Sequence, residues 1–270
     1  MNRFNAMNVF PHRFKFVVPG VLLAAGVFTN NLAMAQIQPE KIEKIVKKSL
    51  SKFGLPSAAV VLISPDSVLH TEIQGVRRLN SEEDVSSKDF YHIGSCSKSV
   101  LALIAARLVE EHKIDWDSRF FEIFPELINS SLADYHEITL EDLFMCKAGI
   151  MGFTDGGDEF PSIDTACSNA RYEFMSWLVR QPPASNKSNG KFGFSYSNAG
   201  YTMASQMLEK VAGRSYEELI ELYIIKELGI PTLIGFPNRH NPEEPWGHTI
   251  TKRGVEDFPP EHAYKIPSLI

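Results

Sequence analysis

Ile93-Gly94-Ser95-Cys96-Ser97-Lys98-Ser99-Val100-Leu101-Ala102-Leu103-Ile104 is the stretch from which the fold is read. A serine is followed three residues later by a lysine, and together they open an apolar run with helical spacing. Residues i and i+3 of a helix lie on one face, a turn apart, so the Lys98 nitrogen can reach the Ser95 oxygen. The serine stands at the helix start, where unpaired backbone N–H groups and the helix dipole favour developing negative charge. A hydroxyl is a poor nucleophile until a neighbour takes its proton, and a lysine beside Val100, Leu101 and Ile104 can be that neighbour. Taken alone, the same residues read equally well as a helix cap followed by a solvated lysine.

Ser-x-x-Lys occurs three times: at Ser49 to Lys52, Ser95 to Lys98 and Ser188 to Lys191. The first copy lies in a charged amphipathic helix with Lys44, Lys47 and Lys48. The third lies in the polar loop Ser185-Asn186-Lys187-Ser188-Asn189-Gly190-Lys191. Only the middle copy opens an apolar helix, expected over residues 95–112.

Towards the N-terminus, helical spacing of Ile42, Ile45, Val46, Leu50 and Phe53 ends at Gly54. A β-branched run at 58–63, a Pro65-Asp66-Ser67 turn and a second run at 68–74 read as a hairpin. Residues 77–89 are polar and without period. Towards the C-terminus, residues 115–127 read as irregular. Thr139-Leu140-Glu141-Asp142 reads as a capping box opening a short helix, with Asp in place of Glu. Residues 149–161 form a glycine-rich loop, 172–179 a helix and 182–193 a polar loop. Helices are expected at 198–212 and 216–228, and from Gly229 onward the chain reads as loop.

Phe194-Ser195-Tyr196-Ser197-Asn198-Ala199-Gly200-Tyr201 closes the polar loop and opens a helix. Tyr196 and Asn198 stand two apart at a loop-to-helix junction, where side chains converge readily. A phenol beside an ammonium loses its proton more easily and can shuttle it between nucleophile and leaving group. Asn198 offers both a donor and an acceptor, suited to holding a substrate amide or the lysine. The plainer alternative is that Asn198 caps the helix and Tyr196 packs.

Taken together, Ser95-x-x-Lys98 after a hairpin and Tyr196-x-Asn198 well downstream resemble the serine β-lactamase and penicillin-binding protein superfamily. Within it they are most similar to the class C β-lactamase-like branch with its esterases and D-aminopeptidases. The likeness extends to Ile138-Thr139-Leu140-Glu141-Asp142-Leu143, to 195–213 with Tyr216-Glu217-Glu218, and to Leu228-Gly229-Ile230-Pro231, over about residues 37–248. The resemblance implies an α+β fold, an antiparallel sheet flanked by helices plus an all-helical region, with the site between them. It implies Ser95 as the acylated nucleophile, Lys98 and Tyr196 managing the proton, and Asn198 orienting substrate or lysine. The oxyanion would be held by two backbone N–H groups, one of them that of Ser95.

Two departures qualify the resemblance. Where the family usually carries His-Thr-Ser-Gly, this chain has Cys146-Lys147-Ala148-Gly149, keeping only the glycine. The family's third motif, Lys-Thr-Gly or His-x-Gly on a late strand, has only two weak candidates, His248-Thr249-Ile250 and Lys252-Arg253-Gly254. The expectation is therefore a domain over residues 36–270 that lacks the family's C-terminal strands. The hairpin at 58–74 would then keep an open edge.

The 270 residues carry a net charge of −6 and are 44% apolar, the profile of an ordinary globular protein. Without a basic cluster beyond the extreme N-terminus, nucleic acid is not an expected partner. Arg3, Arg13 and Lys15 precede the apolar run 16–28, and Ala33-Met34-Ala35 fits a small-x-small cleavage site. Residues 1–35 thus read as a secretory signal, too short for a membrane anchor of about 20 apolar residues, and imply a periplasmic or secreted protein. Three cysteines, Cys96, Cys146 and Cys167, leave at least one thiol unpaired within the chain. The eight scattered histidines show no metal-binding spacing, so no metal or other cofactor is expected.

Three functions follow. The first is an exported serine hydrolase that forms an acyl-enzyme on a small-molecule or peptide amide, β-lactam or ester. The second is a catalytically inactive homologue, or a binder of peptidoglycan peptides or β-lactams. The third is a thiol-reactive protein acting through Cys96.

Overall fold

The computed structural model describes residues 38–154, 161–163 and 168–261. The secretory signal expected over residues 1–35, Cys167 and part of the glycine-rich loop lie outside the described residues.

Helix α1, Pro39–Phe53, has a proline in its first turn and buries Val46. It packs against the antiparallel hairpin of β1, Ser57–Ile63, and β2, Val68–Gly75. The register pairs Ser57 with Gly75 and Leu62 with His70 and slips between Leu62 and Ile63. The side chain of Gln74 donates to the Glu43 carbonyl of α1 at 3.1 Å. On strand β1 Val61 and Ile63 remain exposed, at 54% and 72%.

The helical part follows. A single 3₁₀ turn, Gly94–Cys96, leads into α2, Ser97–Glu110. Helix α3 is Phe120–Ile123 and α4 Leu140–Phe144. Helix α5 is Ala170–Leu178, α6 Asn198–Ala212 and α7 Tyr216–Ile220, the last running into a π-helical turn, Glu221–Lys226. Helix α6 is the hub, touching α2, α4, α5 and α7. Ile104 and Leu108 of α2, Leu140 and Leu143 of α4, Phe174 and Met175 of α5, and Met203 and Met207 of α6 are at most 1% exposed. Each such side chain contributes about 1.5–3 kcal/mol by leaving water. The core therefore fixes α2 against α6, the two helices whose N-termini carry the serine–lysine pair and the tyrosine–asparagine pair.

The fold is α+β, with its strands in small antiparallel hairpins. The Thr139 box forms as read: the hydroxyl accepts from Asp142 N–H at 3.2 Å, and the Asp142 carboxylate accepts from Thr139 N–H at 3.1 Å. Other expectations need correction. Residues 115–127 are not irregular throughout; Phe120 and Phe121 turn inward on α3, which is too short to show a period. The polar loop at 182–193 contains a miniature hairpin, β3, Lys187–Ser188, and β4, Lys191–Phe192. Asn189 and Gly190 both take positive φ, 52° and 78°, the two-residue turn that matches strand twist. The third Ser-x-x-Lys copy thus spans a hairpin instead of a helical turn. The region after Gly229 is not all loop either. After the short helix α8, Pro237–His240, strands β5, Gly247–Thr251, and β6, Gly254–Phe258, pair around a Lys252-Arg253 turn.

Candidate active site

Ser95 lies exposed in the 3₁₀ turn just before α2. Ser97 and Ser99 tie this first turn down, their hydroxyls donating to the carbonyls of Gly94 at 2.8 Å and Cys96 at 2.6 Å. The Gly94 N–H donates to His92 Nδ1 at 3.2 Å, and the His92 ring stacks on Phe236 with centroids 4.4 Å apart. Burial holds the His92 imidazole below its ordinary value, which favours the neutral form with a free acceptor nitrogen.

Lys98 is half-buried one turn further on. Its ammonium donates to Ser95 Oγ at 3.3 Å and to Asn198 Oδ1 at 2.6 Å. The same nitrogen stands 5.2 Å from the centroid of the Tyr196 ring and 5.2 Å from that of Tyr201. Tyr196 is 40% exposed. Burial pushes its phenol up, but hydrogen bonding to Ser95 and Lys98 and the lysine charge outweigh that, so its pKa lies below the usual phenol value.

The loop bearing Tyr196 is held backbone to backbone. Ser195 N–H donates to the Cys146 carbonyl at 2.9 Å and Asn198 N–H to the Gly152 carbonyl at 2.8 Å. The Ser197 hydroxyl donates to the Met151 carbonyl at 2.6 Å while accepting from Gly200 N–H at 2.8 Å. Ser197 is therefore the cap of α6, which frees the Asn198 side chain. Its amide nitrogen donates to the Phe153 carbonyl at 2.7 Å and its oxygen faces Lys98.

This pairing gives physical meaning to the departure at 146–149. Within this segment the Cys146 carbonyl holds the site loop, a contact that asks nothing of the side chains at 146–148. Gly149 is constrained: its φ is +68°, and a Cβ would lie 2.7 Å from the Phe192 ring.

The structure brings all four sequence-selected residues, Ser95, Lys98, Tyr196 and Asn198, to one place. Tyr201 was missed. Its signal was the i+3 spacing from Asn198, which puts both on one face of α6. Cys96 is exposed beside Ser95 and Cys146 is buried; neither forms a disulfide. Of the third-motif candidates, His248 on β5 faces Asp257 of β6, Nε2 to Oδ1 2.7 Å, and Lys252 sits in the turn between those strands. Among the described residues no three His, Cys, Asp or Glu side chains converge as metal ligands, and no helix is long and apolar enough to cross a membrane.

The Beta-lactamase family model matches residues 42–263. Among curated relatives, Unguisins hydrolase ungD of Aspergillus violaceofuscus is 22% identical over 232 residues, covering 82% of this chain and 39% of that protein. The octameric penicillin-binding protein homologue from Pyrococcus abyssi superposes with a TM-score of 0.63 at 23% identity, over 84% of this chain and 52% of that one. A class C β-lactamase superposes with a TM-score of 0.66 at 20% identity, over 87% and 61%. The chain thus spans between about two fifths and three fifths of the length of these relatives.

Proposed function

We propose, from the premise that the chain belongs to the Beta-lactamase family, that Ser95 is the nucleophile of a serine hydrolase working through an acyl-enzyme. One observation carries this reading: the Lys98 ammonium bridges Ser95 Oγ and Asn198 Oδ1 and stands 5.2 Å from the Tyr196 ring centroid, and Ser95 and Lys98 hold the Tyr196 phenol below its usual pKa.

In this reading the Ser95 oxygen attacks the carbonyl carbon of an amide, β-lactam or ester. Its proton passes to the Tyr196 phenolate, which the Lys98 ammonium stabilises, and from that phenol to the leaving nitrogen or oxygen as the carbonyl bond to that group breaks. The negative charge that forms on the carbonyl oxygen meets the Ser95 N–H at the start of the 3₁₀ turn. Asn198 keeps the lysine from swinging away, its own rotamer being held by Phe153. Water then attacks the acyl carbonyl, and the same groups return the proton to Ser95.

Turnover of a chromogenic cephalosporin or a 4-nitrophenyl ester by the folded chain, lost in Ser95→Ala, supports this function. Equal rates in the two proteins would refute it. A second reading, a peptidoglycan-peptide or β-lactam binder without turnover, is favoured by the engagement of His248 with Asp257. Saturable binding with no Ser95-dependent turnover would select it. The N-terminal residues support export to the periplasm or medium, and a secreted product beginning at Gln36 would bear that out.

A further inference from the structure

Lys98 has a fourth neighbour to which neither the motifs nor the family likeness assigns a role. Tyr201 stands one turn along α6 from Asn198, so that helix presents an amide oxygen and an aromatic face to the same ammonium. The ring is itself fixed. Its hydroxyl donates to the Phe144 carbonyl at 3.0 Å, and the Phe144 ring meets it edge-on, with centroids 5.3 Å apart at 86°. Trp116 in turn packs edge-on against Phe144, with centroids 5.8 Å apart. With Tyr196 also 5.2 Å from the same nitrogen, the ammonium sits against two ring faces. An ammonium within about 6 Å of a ring centroid is attracted by the ring's quadrupole, more strongly when partly desolvated.

From this geometry we infer that Tyr201 is a positioning residue: its ring holds the Lys98 ammonium in line between Ser95 and Asn198. The inference rests on the acyl-enzyme reading for its catalytic consequence but not for its geometry. Tyr196 is the exposed partner, whose phenol gives up its proton more readily. Tyr201 is the static one, since burial keeps its phenol neutral and its hydroxyl is taken up by Phe144.

The test compares Tyr201→Phe, which keeps the ring, with Tyr201→Leu, which removes it, in the full chain. The first readout is the second-order rate at which an alkyl fluorophosphonate labels Ser95. Leu should slow labelling about fivefold to thirtyfold, and Phe should restore it to within about twofold of the parent. The second readout is a melting cycle with Lys98→Met. The Tm loss of the Lys98→Met, Tyr201→Leu double variant should be smaller than the sum of the single losses, because each single change already breaks the contact. Parental labelling by the Leu variant, a Phe variant as slow as Leu, or strictly additive Tm losses would each overturn the inference. If the parent chain itself is not labelled, the acyl-enzyme reading fails and the melting cycle alone decides for or against the clamp.

Discussion

Replacing Asn198 by Ala separates a site residue from a helix cap. If the side chain merely capped α6, its loss would cost about 1 kcal/mol of helix stability. The structure gives that duty to Ser197, whose oxygen accepts from Gly200 N–H at 2.8 Å. Asn198 instead contributes one charge-assisted hydrogen bond to Lys98, at 2.6 Å, and one neutral bond to the Phe153 carbonyl, at 2.7 Å. Such bonds contribute about 1.5–3 and about 1 kcal/mol respectively where water is excluded. Lys98 and Asn198 are only half-buried, so water replaces part of both. A net loss of about 1–2 kcal/mol remains, a Tm drop of about 3–6 °C in a domain of this size. The catalytic consequence is larger, because an unheld ammonium samples orientations that neither meet Ser95 nor stabilise the Tyr196 phenolate. We expect fluorophosphonate labelling of Ser95 to slow about tenfold to a hundredfold. Ser197→Ala supplies the contrast: a comparable Tm loss, with labelling within about threefold of the parent. The reasoning is refuted if the two variants exchange these phenotypes, or if Asn198→Ala labels at the parental rate.

Three further outcomes follow from the geometry. The Tyr196 phenol lies below its usual value, burial being outweighed by Ser95 and Lys98, so acylation should rise with pH along a limb centred below 10.0. Tyr196→Phe should lower the rate and remove that limb, and a parental profile flat from about pH 5 to 9 would contradict the role. Burial depresses the imidazoles of His92 and of His248, in the latter case against the pull of Asp257. Groups depressed in the folded state stabilise it fully above their ordinary value of 6.5, and that stability drains away as pH falls towards their folded values. The urea midpoint should therefore drop between about pH 7.5 and 5, and the drop should shrink in His92→Gln; an unchanged dependence would rule His92 out. Gly149→Ala combines a left-handed backbone with a contact 2.7 Å from the Phe192 ring. A loss of about 2–5 kcal/mol is expected, and a melting curve like the parent's would show that the turn relaxes freely.

The site was legible in the sequence because its geometry is local. Ser95 and Lys98 are one turn apart, Tyr196 and Asn198 straddle a helix start, and only their meeting depends on the fold. The buried faces of α2 and α6 supply that meeting, and both segments read as helices in the sequence. What went unread lies where the signal is weak or shared. The β5–β6 hairpin carries His248, Thr249, Glu256 and Asp257 inside its strands, so no apolar alternation announces it. The Asn189-Gly190 turn was a readable hairpin signal, but its strands are only two residues long. Ser197 and Asn198 are both good helix caps, and only the hydrogen bonds decide between them. Tyr201 looks like any aromatic residue on a core-facing helix until Lys98 is placed against it.

The account stands on a reactive Ser95, and the most direct measurement is intact-protein mass followed by peptide mapping after exposure to a fluorescent penicillin and to a fluorophosphonate. The account predicts one adduct per chain, located on Ser95 and absent from Ser95→Ala. A folded chain that gains no mass, or an adduct that maps to Cys96 and persists in Ser95→Ala, would contradict it.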